Sequence, residues 1–547
     1  MSLNKALSTR REFLKFLGQS TTVVATPSLV STVLSGCSHL PARNALRTDQ
    51  FLQPQSEDRL SLAPGIESRI LLKWGETLSA KGLRFGSHSD FCAYIPRNQE
   101  DPHDGVLMVN HESVSELFAS GFHRAPGARK TAEQVIQEQE QVGVSLVRFF
   151  KQKNGWTVDL ESPLNRRITG RTPIPILSED PLEGKRVAHG TLANCAGGVT
   201  PWGTFLTCEE NYDQFYGEWE YSENGKRSHS LHTKDLQWWR HQPHPPSHYG
   251  WVLEINPWTG RARKLTQLGR FAHEGATCAK TRDGRVAVYM GDDTADEFLY
   301  KFVSDKPDSF DSGTLYVAQL ETGKWLPITL DSHPEFRKRF KTTTELKVRT
   351  REAARMLKAT PLDRPEDVEI HPKTGDVIVA LSNNQKAQRP FGSLLKIQEK
   401  HSDPGAVEFK SSTWISGGPE SGLACPDNLA FDRSGNLWCT NDIADERMNR
   451  APYEAFKNNG LFFIPTHGPH AGQVFQVASA PRDAEITGPM FTPDGETLLI
   501  SVQHPGDQTE DLKKPTSQWP DGPGSVPKSA VVALSGPGLR ALVNYRG

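Results

Sequence analysis

The sequence predicts an all-β fold, a six-bladed β-propeller with helical and loop insertions. Three observations carry that prediction. The composition is the first: 45 Gly, 38 Pro and 12 Trp in 547 residues favour strands and turns over long helices. The second is a turn that recurs six times, with glycines at 105, 203, 284, 375, 435 and 495. Each glycine precedes a β-prone run: VLMVNHE, TFLTCEEN, RVAVYMGDD, DVIVALSNN, NLWCTND and ETLLISVQH. Every run ends on an amide, an acid or a histidine, and a Gly turn ahead of β-branched residues is a hairpin signal. The third lies on the other side of the turns. The segments SHSDFCAYIP, NCAGGVTP, HEGATCAKTRD, PEDVEIHPKT, PDNLAFDRS and GPMFTPD mostly begin polar and alternate apolar residues into the turn. Period-2 alternation makes them strands. Six hairpins with polar ends on one edge fit blades whose inner strands meet at the mouth of a channel. The glycine intervals of 98, 81, 91, 60 and 60 residues are unequal, so insertions separate the units. A β-sandwich with unrelated turns is the plainer alternative, but it does not account for the matching flanks.

The chain opens with an address. Thr9-Arg10-Arg11-Glu12-Phe13-Leu14-Lys15 fits the twin-arginine export pattern, an apolar stretch runs from Phe16 to about Leu34, and Leu34-Ser35-Gly36-Cys37 reads as a lipobox. Residues 1–36 are therefore expected to be a signal peptide, with acylation at Cys37; an uncleaved membrane anchor is the alternative. The twin-arginine machinery is the expected export partner, and the periplasm or the cell exterior the expected location. That route carries folded proteins and points to a metal or redox centre. Without residues 1–36 the charge is about −5, from 59 basic and 64 acidic side chains. There is no basic block, so no nucleic acid partner is expected. No later stretch is long and apolar enough to span a bilayer. Six cysteines follow Cys37, and their spacing assigns no pairing.

Residues 37–80 read as a linker and packing segment, and 81–547 as the propeller. Two insertions interrupt the repeat. Residues 213–250, rich in Trp, His and Pro, read as a rim loop or lid. Residues 333–358 hold the clearest helical pattern, read as a solvated surface helix. Residues 505–527 are rich in Pro, Gly and Asp and read as loop. Residues 529–543 are expected to supply the strand that closes the ring. With no coiled coil or apolar helix face, a monomer is expected.

The strand edges are dense in acids: Glu112, Glu209, Glu210, Glu274, Asp292, Asp293, Glu366, Asp367, Asp427 and Asp442, with Asn110, Asn194, Asn384, Asn428 and Asn441 among them. Converging carboxylates repel unless cations or protons neutralise them. Oxygen ligands suit Ca²⁺; the thiolate of Cys195 suits iron or zinc. Cys208, Cys278 and Cys439 lie within strand runs and read as core residues. Arg364 stands two residues before Glu366, and His273 beside Glu274, so both are candidate catalytic cations for an anionic substrate.

Several long stretches resemble one known family, the PhoX alkaline phosphatases: NCAGGVTPWGTFLTCEENYD, GRFAHEGATC, VYMGDDTADEFLYKFV, ATPLDRPEDVEIHP, and VQHPGD with a downstream PDG. They span most of the chain after the signal peptide, in order. The resemblance implies a six-bladed propeller holding iron (Fe³⁺) and calcium (Ca²⁺) at one end of its channel and hydrolysing small-molecule phosphomonoesters outside the cytoplasm. It implies Cys195 as the iron-binding thiolate, Glu274 and Glu366 as carboxylate ligands, and Glu112, Asp292 and Asp293 as further ligands. Glu209 is placed with them, although Glu210 matches the motif equally well. Arg364 is implied as the phosphate-binding cation. Metal-assisted phosphoryl transfer, an alkaline optimum and sensitivity to chelators are then expected. No G-x-S-x-G elbow is present, which argues against a serine hydrolase. The chain looks shorter than many family members, and the lipobox implies tethering rather than release. Two other readings stay open. CPDNLAFDRSGNLWCTND resembles the repeats of calcium-dependent lactonase propellers, which have no use for Cys195. A non-catalytic binding propeller would need no metal at all.

Overall fold

The computed structural model describes residues 46–547 other than Glu223. The signal peptide, Cys37 and the start of the linker therefore lie outside the described residues. Six sheets form the blades of a propeller, antiparallel except that Pro173–Leu177 joins the second blade parallel to Ala262–Leu265. Their inner strands are Ser89–Pro96, Asn194–Val199, Thr277–Lys280, Pro365–Ile370, Pro426–Phe431 and Glu485–Phe491. These six contact one another in sequence order, and the last meets the first, closing the ring. The second strands are Asp104–His111, Phe205–Glu209, Val286–Gly291, Val377–Leu381, Leu437–Asn441 and Leu498–Gln503. They are the six β-prone runs of the sequence. Five of the turn glycines (203, 284, 375, 435 and 495) have φ between +65° and +88°, the left-handed region that favours glycine. Gly105 differs. It lies inside its strand, where a Cβ would stand 2.2 Å from the Ile95 carbonyl oxygen.

Alternating residues of each strand pack against the next blade. Ala93, Ile95, Val106 and Met108 of the first blade meet Phe205, Leu253 and Ile255 of the second. Tyr289 of the third meets Val377 and Val379 of the fourth. Each such side chain contributes about 1.5–3 kcal/mol on full burial.

Ring closure uses the expected C-terminal strand, but it also needs an N-terminal one. Ala530–Ser535 is the third strand of the sixth blade, and the outer strand is Glu67–Lys73, paired antiparallel with it. The fifth blade is finished in the same way by Ser61–Leu62. The segment before residue 81 thus supplies the outer edges of the last two blades, and the chain turns to helix over Pro537–Val543.

One insertion departs from expectation. Residues 333–358 fold as three short helices, Phe336–Arg339, Thr343–Val348 and Thr350–Met356. The Thr342 hydroxyl caps the second, accepting from the Glu345 N–H at 3.1 Å. The segment is no solvated surface helix, because Phe336, Phe340, Leu346, Ala353 and Ala354 are fully buried in the core of blades two and three. Residues 213–250 carry a helical turn, a strand pair and two 3₁₀ turns. Residues 505–527 are without helix or strand.

Candidate metal centre at the channel mouth

Each inner strand starts at the same end of the channel, and its backbone is irregular there. Register shifts interrupt pairing between Ser89 and Cys92, Asn194 and Gly197, Pro365 and Val368, Pro426 and Leu429, and Thr487 and Met490. A bulge inserts a residue and re-aims its side chain. Ala193, Arg364 and Cys425 have φ of 52°, 54° and 50° just before their strands, a conformation that non-glycine residues hold at a cost and that clusters at functional sites. Close approach matters as well. A Cβ on Gly198 would stand 2.2 Å from the Ala276 carbonyl oxygen of the neighbouring blade.

The result is one functional side chain from each blade: Asp90, Cys195, Glu274, Glu366, Asp427 and Glu485 all line a cavity of about 230 Å³. The ends of the second strands add Glu112, Glu210, Asp293, Asp442 and His504. Three overlapping triads have ligand atoms within 4.8 Å of one another: Glu112, Cys195 and Glu210; Glu210, Glu274 and Asp293; Glu274, Glu366 and Asp427. Cys195 Sγ lies 3.1 Å from Glu274 Oε1. Asp90 Oδ1, Glu210 Oε1 and Asp293 Oδ1 are buried without a hydrogen-bond partner among the described residues.

Burial, and then the neighbouring acids, push these groups up. Asp90 rises to about 7, with Glu112 the main neighbour. Glu485 rises to about 8, with Asp442 beside it. Glu210, Glu274, Glu366 and Asp427 lie well above the carboxylate range for the same two reasons. Burial also raises the Cys195 thiol, assisted by Asp90 and Glu274.

Few cations face the cavity. Arg364 Nη2 donates to Asp293 Oδ2 at 2.7 Å and lies 3.1 Å from Glu366 Oε1. His504 Nε2 is 2.6 Å from Glu485 Oε1. Burial alone would lower the His504 pKa, but Asp445, Glu485 and Asp507 hold it well above the usual value. Lys234, on the 213–250 insertion, is the third.

The cavity thus gathers six of the sequence-predicted site residues: Glu112, Cys195, Glu274, Asp293, Glu366 and Arg364. It leaves out three. Glu209 points into the blade: Lys264 Nζ and the Thr191 hydroxyl donate to its Oε1 at 2.6 and 2.8 Å, and the Gly250 and Trp251 N–H groups to its Oε2. Adjacent strand residues face opposite sides, so Glu210, one residue beyond the strand end, takes the cavity. Asp292 is fully buried against Arg351, whose Nε donates to its Oδ2 at 2.9 Å. His273 stacks on Phe271 with ring centroids 3.6 Å apart, and its Nε2 meets the Gly269 carbonyl. Burial holds its pKa down to about 3, so it stays neutral and away from the cavity. Among the amides, Asn110 serves backbone. Asn110 Nδ2 donates to the carbonyls of Cys195 and Ala196, fixing the bulge that presents the thiol.

Asp90 and Glu485 escaped the sequence reading. Asp90 had a signal: like Cys195 and Glu366, it stands six residues before a turn proline (Pro96, Pro201 and Pro372). Glu485 stands eight residues before Pro493, because Gly488 takes the bulge position that Asp90, Cys195, Glu366 and Asp427 hold in their strands.

Comparison with known proteins bears on this arrangement. A family model described as alkaline phosphatase PhoX matches residues 49–506. No curated protein matches the chain. Among solved structures, Pseudomonas fluorescens PhoX in complex with vanadate, a transition state analogue, aligns with a TM-score of 0.78 at 27% identity, covering 89% of this chain and 97% of that one. A gluconolactonase from Xanthomonas campestris aligns at 12% identity with a TM-score of 0.36, covering 89% of this chain and 100% of that one. The family match spans most of the described chain and the PhoX structure shares its six-bladed architecture; this protein therefore belongs to the PhoX family of alkaline phosphatases and is a phosphatase.

Proposed function

We propose that the mouth cluster holds iron at Cys195 and calcium at its all-oxygen groups, and that it hydrolyses phosphomonoesters outside the cytoplasm. The observation that carries this reading is the chain of three triads sharing Glu210 and Glu274. Its donor set fits: one triad contains a thiol, which suits a softer cation, and two contain only carboxylates, which suit Ca²⁺. The unpartnered oxygens of Asp90, Glu210 and Asp293 point the same way, because a buried acceptor without a partner is costly.

When bound, the cations supply Lewis-acid stabilisation of the charge that develops on the phosphoryl group. The chain's own residues do the rest. Asp293 and Glu366 hold the Arg364 guanidinium in one orientation, so it offers N–H donors to a phosphoryl oxygen at little entropic cost. Asn211 Nδ2 and Gln503 Nε2 donate to the two oxygens of Glu112 at 3.3 and 2.6 Å, fixing its approach to Cys195. His504 holds Glu485 in place. Cys195 gives up its proton on ligation, which couples cation binding to pH.

Export through the twin-arginine machinery, tethering at Cys37 and a monomeric state complete the reading, on the sequence patterns given above. No helix among the described residues is long and apolar enough to cross a membrane.

The test pairs metal analysis of natively exported protein with turnover of p-nitrophenyl phosphate at alkaline pH, for wild type and Cys195→Ala. Iron and calcium in the wild type, with iron and activity both lost in the variant, are expected. Calcium alone, with full activity in Cys195→Ala, would sink the iron assignment.

A further inference from the structure

Among the described residues, three positively charged side chains face the cavity, and two are committed. Arg364 is held by Asp293 and Glu366, and His504 by Glu485. Lys234 is different. Among the described residues its ammonium makes no hydrogen bond or ion pair, although it lines the same cavity. It is also the one of the three that is exposed.

Its backbone is nevertheless fixed. The Lys234 N–H donates to His232 Nδ1 at 3.0 Å. Arg124 Nη2 donates to the Asp235 carbonyl at 3.1 Å. Asp235 Oδ1 accepts from the Gln237 N–H and from Trp239 Nε1. Leu236 is buried, its N–H donates to the Gln214 carbonyl at 2.7 Å, and its own carbonyl accepts from the buried Lys130 Nζ at 2.8 Å. The lysine therefore projects over the mouth from a turn anchored on both sides.

Depth assigns the roles. A phosphomonoester must place its phosphoryl group among the deep acids and Arg364, because the cations bind there. The leaving group then points outward to the rim, where Lys234 stands. We infer that Lys234 is a specificity-determining residue that favours phosphomonoesters carrying a second anionic group, a carboxylate or another phosphate, on the leaving-group side. The inference rests on the phosphatase centre described above.

The experiment compares two esters of similar size, 3-phosphoglycerate, which carries a carboxylate, and glycerol 3-phosphate, which does not. Phosphate release is measured with metal-loaded full-length protein. An exposed ion pair is worth up to about 1 kcal/mol, which is about fivefold in affinity. Lys234→Ala should lower kcat/KM for 3-phosphoglycerate about three- to fivefold more than for glycerol 3-phosphate, chiefly through KM. Lys234→Glu should widen that gap to about tenfold, and Lys234→Arg should keep the wild-type preference. Raising the ionic strength should shrink the wild-type preference. Equal losses for the two esters, or no loss for either, overturn the inference. Failure of the wild type to release phosphate from either ester overturns the phosphatase centre itself, and is told apart by that control.

Discussion

Two sets of buried carboxylates lie close together in this protein and behave in opposite ways. Between and behind the blades, Glu209, Glu399 and Glu138 are each matched by a buried lysine and by further donors. Lys264, Lys301 and Lys130 approach them at 2.6, 2.9 and 2.5 Å, and Trp325 and Trp238 add indole N–H groups to Glu399 and Glu138. At the channel mouth, Asp90, Glu210 and Asp293 each keep a buried oxygen without a partner among the described residues. In the first set the chain satisfies its own acids. Where it leaves them unsatisfied, charge must come from outside the chain. Glu209 and Glu210 show the difference at neighbouring positions of one strand end.

The sharpest way to break this comparison is to remove the structural acid. Glu209→Gln keeps the shape but leaves Lys264 buried beside a neutral amide. Breaking a buried pair from one side costs about 3–5 kcal/mol, so a large loss of stability is expected in denaturant unfolding. Activity per folded molecule should stay within about threefold, because Glu209 does not reach the cavity. Loss of bound metal with stability intact would show that Glu209 belongs to the mouth set after all.

The second test uses pH, on protein stripped of metal. Asp90 and Glu485 titrate near 7 and 8 in the fold, above the ordinary carboxylate values of about 4 in an unfolded chain. Their protonated forms are the ones the fold accommodates. Stability is then fully present below about pH 4 and is lost as pH rises towards 8, since the unfolded chain ionises first. His504, raised by its acid neighbours, carries the same sign. About two pH units for Asp90 and three for Glu485 fall between pH 5 and 8, so the loss there should be up to about 7 kcal/mol at about 1.36 kcal/mol per unit, and added cations should abolish it. A metal-free protein equally stable at both pH values would mean that the mouth acids are already satisfied.

The blades were legible in the sequence because hairpins are local. Five of the six glycine turns stand where the spacing placed them, and the β-prone runs are the second strands. The mouth was legible only in part. Cys195, Glu274 and Glu366 lie in long motifs, and alternation brings them to one edge. Glu209 was misplaced because the strand ends one residue later in function than in pattern: the last paired residue faces the blade and its successor faces the cavity. Asp292 and His273 were misplaced because adjacency in sequence is not adjacency across a bulge. Their positions depend on Arg351 and Phe271. Ring closure by Glu67–Lys73 was invisible for a simpler reason: its partner lies hundreds of residues away, and no local period records it.

The smallest test separates neighbours within one motif. Glu210→Gln replaces a carboxyl that burial and its acid neighbours keep from ionising in the metal-free fold, so the metal-free protein should be no less stable than wild type, and a modest gain is expected. Glu210 is shared by two triads, so its loss should weaken cation binding at both. Outer-shell substitutions at metal sites cost about 10–100-fold, and a shared ligand should cost at least about 100-fold in kcat/KM for p-nitrophenyl phosphate. The pairing of outcomes decides the matter. Activity lost with stability kept in Glu210→Gln, against stability lost with activity kept in Glu209→Gln, assigns catalysis to one face of the strand end and folding to the other. Parallel losses in both variants would mean that the two carboxylates act as one network, and the division between the two sets would fall.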